Sequence, residues 1–211
     1  MKNAYVYVLD TLADWELGYV IAELNSGQYF KDQGSHIPVT IVGATTDPIT
    51  TKGGMSIVPT ATVNDVTLDT AAVLLLPGAD TWHESKHTPI IEKACELLDG
   101  NVTVAAICGA TGALANAGIF DRRRHTSNSL DYLKMSSPRY HGEAFYQDEK
   151  AVADGNLITA SSAGSLLFAR YVLERLEVFS EDTIAAWYSY FDTGDANYFS
   201  TLMQTLPQLH R

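Results

Sequence analysis

Short runs that are apolar at nearly every position alternate along this chain with longer segments whose apolar residues recur every three or four positions. Ala4 to Leu9, Ile37 to Val42, Ala71 to Leu76 and Val102 to Ile107 are of the first kind. They are short and rich in β-branched or aromatic residues, so they predict buried strands. Leu17, Val20, Ile21 and Leu24 mark one face of a helix predicted over about 14–30, and further helices are predicted over 89–99, 109–117 and 165–176. Gly53-Gly54 divides two short β-like pieces in 48–58, which reads as a hairpin. Asp154-Gly155-Asn156 is the turn of a strand pair within 145–161. Apolar strands alternating with helices predict an α/β fold, a three-layer sandwich with a mainly parallel central sheet covered on both faces.

No repeat or linker interrupts the pattern, so residues 1–211 are expected to form a single domain. Residues 180–211 stand apart as an aromatic-rich helical extension, with Trp187, Tyr188, Tyr190, Phe191, Tyr198 and Phe199 in an acidic stretch. Such clusters pack into a core or a subunit interface, and a homodimer is the expectation; a wall or lid of a substrate pocket is the alternative.

Charge narrows the function. A net charge of -11 argues against sequence-independent nucleic-acid binding, and the lone basic run, Arg122-Arg123-Arg124, reads as a solvated turn. No apolar stretch approaches the roughly 20 residues that span a bilayer. The first strand begins too early to leave room for a signal peptide, and two cysteines make no disulfide framework, so a cytoplasmic protein is expected. Nothing calls for a cofactor. No His/Cys cluster has ligand spacing, so no metal is expected.

The two cysteines differ in setting. Cys95 lies within a predicted helix and reads as a small core residue. Cys108 ends an apolar strand and is followed by Gly109-Ala110-Thr111-Gly112-Ala113 at the start of a helix. Small residues allow a sharp turn, which holds the side chain out at the carboxyl edge of the sheet. The helix N-terminus behind it favours thiolate over thiol. This is the cysteine form of a nucleophile elbow. On the local sequence alone, a buried cysteine acting as a small hydrophobe fits equally well.

Four stretches together resemble the ThiJ/PfpI superfamily, a flavodoxin-like branch of the class I glutamine amidotransferase-like fold. They are Val8-Leu9 through Ala13-Asp14-Trp15-Glu16, Leu74 to Asp80, Ala105 to Ala110, and Asn156 to Gly164. The likeness covers roughly residues 4–178. It implies that Cys108 is the reactive cysteine and that Glu16 hydrogen-bonds it. It also implies that the amides of Ala79 and Gly109, beside Gly78, form an oxyanion site. The chemistry agrees, since a protonated carboxyl donates to a thiolate and paired N–H groups stabilise an oxyanion. Taken alone, Glu16 is also explained as an acid in a first helical turn, and Gly78 as the turn ending a strand.

Departures from the family pattern shape the functional expectation. The position immediately after the cysteine, where one version carries histidine, is Gly109, and the position 20 residues downstream is Asn128, so peptidase activity is not expected. His83, His125 and His141 remain as candidate replacements, each more simply a solvated or structural side chain. Asn128, Asp14 and Trp82 are expected to shape a pocket for a small-molecule substrate. The leading expectation is a cysteine-dependent hydrolase, amidase or glyoxalase-like enzyme acting on a small carbonyl, amide or nitrile-type compound. The alternatives are a stress-response protein that uses the same cysteine as an oxidation sensor, or a degenerate amidotransferase-like binding protein.

Overall fold

The computed structural model of the chain describes residues 2–206. Its central sheet has seven strands: β1 (Asn3–Tyr7), β2 (Val39–Gly43), β5 (Ala61–Thr62), β6 (Ala71–Leu76), β7 (Thr103–Ile107), β8 (Ala151–Asp154) and β9 (Leu157–Ala160). They run in the order β5-β2-β1-β6-β7-β9-β8. Every pairing is parallel except β8 with β9. A separate antiparallel hairpin, β3 (Ile49–Thr50) with β4 (Ser56–Ile57), turns at the predicted glycine pair.

The alternation of side chains across the sheet divides the core in two. Val6, Val73, Leu75 and Ala105 face a layer made by α1 (Gly18–Ser26), α5 (Ser165–Arg175) and α6 (Glu181–Thr193). Tyr5, Tyr7, Leu74, Leu76 and Val104 face a layer made by α2 (Thr88–Asp99), α3 (Gly109–Asn116) and α4 (Leu130–Ser136). The three-layer, flavodoxin-like sandwich expected from the sequence is the observed one.

The differences are local. The first helix begins at Gly18 rather than near 14, because Leu12 to Leu17 form turns that carry Glu16 back toward the sheet edge. The strand pair occupies 151–160, and 143–145 is a single tight turn. Arg123 is not solvated; its guanidinium donates to the Asp154 carbonyl and, at 3.0 Å, to Asn156 Oδ1, tying the loop to the β8–β9 turn.

The C-terminal extension is integral as far as residue 206. Trp187 of α6 is fully buried, and its Nε1 donates to Glu23 Oε1 on α1 at 2.9 Å. Beyond it, α7 (Ala196–Thr205) buries Leu202 but leaves Tyr198, Phe199 and Met203 exposed. Met1 and residues 207–211, which include His210, lie outside the described residues. Among the described residues no helix is long and apolar enough to cross a membrane.

Candidate active site

The ends of β1, β6, β7 and β9 bring the site together at the carboxyl edge of the sheet. Cys108 is held at φ 57° and ψ -120°, a left-handed backbone conformation that costs a non-glycine residue about 1–3 kcal/mol. Its surroundings hold it there. Its amide donates to the Ala160 carbonyl at 2.9 Å, and its own carbonyl accepts from the Thr111 amide at 3.1 Å and the Thr111 hydroxyl at 2.5 Å. Since the Thr111 proton is committed there, Ser127 donates to Thr111 Oγ1 at 2.6 Å. The elbow read from the sequence is present.

Glu16 arrives from the turns after β1 and is completely buried. Gly78 N–H donates to its Oε2 at 2.5 Å and the Ser162 hydroxyl to its Oε1 at 2.9 Å. Its carboxyl is also hydrogen-bonded to the Cys108 thiol. Asn128 Nδ2 donates to Cys108 Sγ at 3.3 Å, while its Oδ1 accepts from the Ser162 amide at 2.9 Å. Asn128 thus bonds the sulfur itself, a tighter role than shaping a pocket.

Burial pushes both acids up. The Cys108 thiol is raised first by desolvation, lowered by the Asn128 hydrogen bond, and raised again by the negative charge of Glu16. Burial raises the Glu16 carboxyl against the hydrogen bonds from Gly78 and Ser162. The helix N-terminus therefore does not by itself produce the depressed thiol expected from the sequence, because the sulfur is half-buried against a carboxylate. The opposition from Glu16 lasts only while Glu16 is ionised. Once the carboxyl takes the proton, it becomes a donor to sulfur, so the two groups titrate as one pair sharing one proton.

The amides of Ala79 and Gly109 have no hydrogen-bond partner among the described residues. They lie close, for a methyl group on Gly109 would come 3.1 Å from the Ala79 nitrogen and 3.3 Å from Trp82 Cδ1. Trp82 is held by a 2.8 Å bond from its Nε1 to the Pro77 carbonyl, and it walls a cavity of about 450 Å³ that opens onto Ala79 and Gly109. A larger groove of about 710 Å³ lies elsewhere, among Lys31, Arg170, Glu174 and Phe179, away from any nucleophile.

Asp14 does not line the 450 Å³ cavity. Its Oδ2 accepts from the Gly53 amide at 2.6 Å, which pins the β3–β4 hairpin, and its carboxyl is held below the usual range chiefly by the Thr51 hydroxyl. No histidine is among the described partners of Cys108 or Glu16. His125 is buried, with its ring nitrogens on the Arg123 carbonyl and the Tyr140 hydroxyl at 2.7 Å each, so it is structural. His141 is exposed, and His83 reaches the cavity wall. Among the described residues no group of three or more His, Cys, Asp or Glu could hold a metal ion.

Sequence reasoning missed two groups. Ser162 donates to Glu16 and also acts to lower the Cys108 thiol, and Lys52 acts on Glu16 through its charge while pairing with Asp80 at 3.0 Å. Ser162 stood inside a quoted motif, so its position after the last parallel strand was the available signal. Nothing local marked Lys52.

The family model described as DJ-1/PfpI matches residues 2–175. The chain belongs to the DJ-1/PfpI family. This DJ-1/PfpI chain is 47% identical over 205 residues, 97% of its length and 98% of the relative's, to an uncharacterised protease named YoaZ from Bacillus subtilis. It is 28% identical over 146 residues, 67% of its length and 74% of the relative's, to a glutathione-independent glyoxalase, DJR-1.2, from Caenorhabditis elegans. A thiJ/pfpI family protein from Bacillus anthracis superimposes with a TM-score of 0.95 at 47% identity, covering 98% of each chain.

Proposed function

We propose that this DJ-1/PfpI chain is a cysteine-dependent enzyme acting on a small carbonyl, amide or nitrile-type compound. Cys108 is the nucleophile, Glu16 its proton partner, and the amides of Ala79 and Gly109 receive the oxyanion. One observation carries the reading. A strained elbow cysteine and a buried carboxyl hydrogen-bonded to it meet at one sheet edge with two unpartnered amides, and those amides line a cavity.

With an aldehyde the first step balances simply. The thiol proton passes to Glu16 and a sulfur–carbon bond forms as the carbonyl π pair moves to oxygen. That oxygen, facing the two amides, then takes the proton back to give a hemithioacetal. The relative named as a glyoxalase supports placing aldehydes first in a substrate panel. The lack of an imidazole among the described partners of Cys108 and Glu16 speaks against peptide hydrolysis, for which a leaving amine needs a proton donor.

The same lack of an imidazole among those described partners favours a second reading, an oxidation sensor, since a sensor needs a thiolate but no proton shuttle. A panel of glyoxal, methylglyoxal, a simple amide and an isonitrile separates the two. Turnover that disappears in Cys108→Ala supports the enzyme. No turnover on any of them, with clean conversion of Cys108 to the sulfinic acid by dilute peroxide, supports the sensor.

A further inference from the structure

The cavity beside Gly109 carries a polar array that the proposed chemistry does not use. Tyr132 enters it from α4, whose N-cap Ser129 accepts from the Tyr132 amide at 3.0 Å and so fixes where the ring emerges. The ring lies across α3, because a methyl group on Gly112 would come 3.3 Å from the Tyr132 hydroxyl and 3.0 Å from Ser136 Oγ. Burial, and after it the Cys108 charge, hold this phenol above its ordinary value, so it stays a neutral O–H. Ser136 gives its own hydroxyl proton to the Tyr132 carbonyl at 2.8 Å, and the Tyr132 hydroxyl donates no hydrogen bond among the described residues, so its proton is left for another acceptor.

Asn116 adds a second donor. Its Oδ1 accepts from the Arg139 amide at 3.3 Å, which leaves its amino group for the cavity wall it forms. No Lys or Arg lines this cavity, and the carboxylate of Asp80 is already bound to Lys52 at 3.0 and 3.1 Å. The wall thus offers hydrogen-bond donors without a lysine or arginine; His83, also on it, has its Nδ1 engaged by the Asp80 carbonyl at 3.1 Å. A carboxylate entering would lose hydration, find no lysine or arginine, and sit near the negative charge shared by Cys108 and Glu16. An uncharged molecule with carbonyl or hydroxyl oxygens meets none of these costs.

We propose that Tyr132 is a substrate-facing hydrogen-bond donor and that, with Asn116, it makes this cavity select uncharged, oxygen-rich small molecules over carboxylates. The inference takes the position of the reacting atom from the function proposed above, but its test does not depend on turnover. Glycolamide and glycolate differ chiefly in charge, so each is used to protect Cys108 from iodoacetamide. Protection is read by mass spectrometry and normalised to each protein's own unprotected rate.

The expected result is protection by glycolamide at concentrations about tenfold or more below those needed for glycolate. Tyr132→Phe then weakens the glycolamide effect by about tenfold, the loss of one good hydrogen bond, and narrows the difference between the two probes. Asn116→Ala, which keeps the phenol and removes the second donor, gives a smaller loss and serves if Tyr132→Phe folds poorly. Equal protection by the two probes, protection unaltered in both variants, or no protection by either probe overturns the inference. Protection of the expected kind in a protein that turns over nothing defeats the enzymatic reading and leaves the cavity assignment intact. Turnover without charge selection does the reverse.

Discussion

Gly78 packs so tightly against Cys108 that a methyl group on it would come 2.7 Å from the Cys108 Cβ and 2.6 Å from Glu16 Oε2. The loop after β6 therefore approaches the elbow only because residue 78 lacks a side chain, and the Gly78 amide reaches the carboxylate for the same reason. Gly78→Ala must push one of two buried groups aside. Overpacking of this kind costs about 1–3 kcal/mol. Urea unfolding is expected to show that loss, together with slower Cys108 alkylation as Glu16 is displaced. Unchanged stability and reactivity would mean that the three residues are not packed as described.

Asn128 supplies the hydrogen bond that most offsets the burial of the sulfur. Hydrogen bonds to charged groups are worth about 1.5–3 kcal/mol, and this side chain is exposed enough to fall at the lower end. Asn128→Ala is expected to slow alkylation near neutral pH about tenfold. Asn128→Asp should slow it further, because a carboxylate then faces the thiolate. A faster reaction in the Asp variant would show that residue 128 does not contact the sulfur.

His87 sits behind Trp82, 2% exposed, with Nδ1 bonded to the Tyr7 hydroxyl at 2.7 Å and Nε2 without a described partner. Burial pushes its value down from 6.5 to about 4. Between those values the unfolded chain binds the proton and the folded chain does not, so stability falls as pH drops below 6.5. The span corresponds to about 3 kcal/mol. Unfolding of the wild type and His87→Gln, compared from pH 7 to pH 4, should show this loss in the wild type alone. Parallel curves would place a charged, solvated imidazole at this position.

The sequence exposed the sheet and the elbow because both are written in local patterns. The strands from Ala4, Ala71 and Thr103 are apolar at nearly every position since helices cover both faces, and Cys108 stands where strand gives way to small residues. What stayed hidden depends on distant partners. Strand β5 is two residues long and exists by pairing with Val42 and Gly43. Helix α4 has seven residues and one fully buried side chain, too few for a periodic signal. Asp14 looked like a pocket residue from its neighbourhood in sequence, but a backbone amide 39 positions away claims it. The packing of the extension was legible in kind, but not its partner, because Trp187 is bonded to Glu23, 164 positions away.

The central claim, that Cys108 and Glu16 share one proton, is tested most directly by the pH dependence of Cys108 alkylation with iodoacetamide. The wild type is compared with Glu16→Gln and with Cys108→Ala as the control for Cys95. While one proton is held by the pair, the thiolate fraction does not change with pH, so the wild-type rate should be nearly flat across neutral pH. It should fall only where the pair becomes fully protonated and rise only where the second proton leaves. Glu16→Gln should lose the plateau and show a rate that climbs tenfold per pH step toward the raised value of a buried thiol. A wild-type rate that climbs in that way, parallel to Glu16→Gln, would contradict the account.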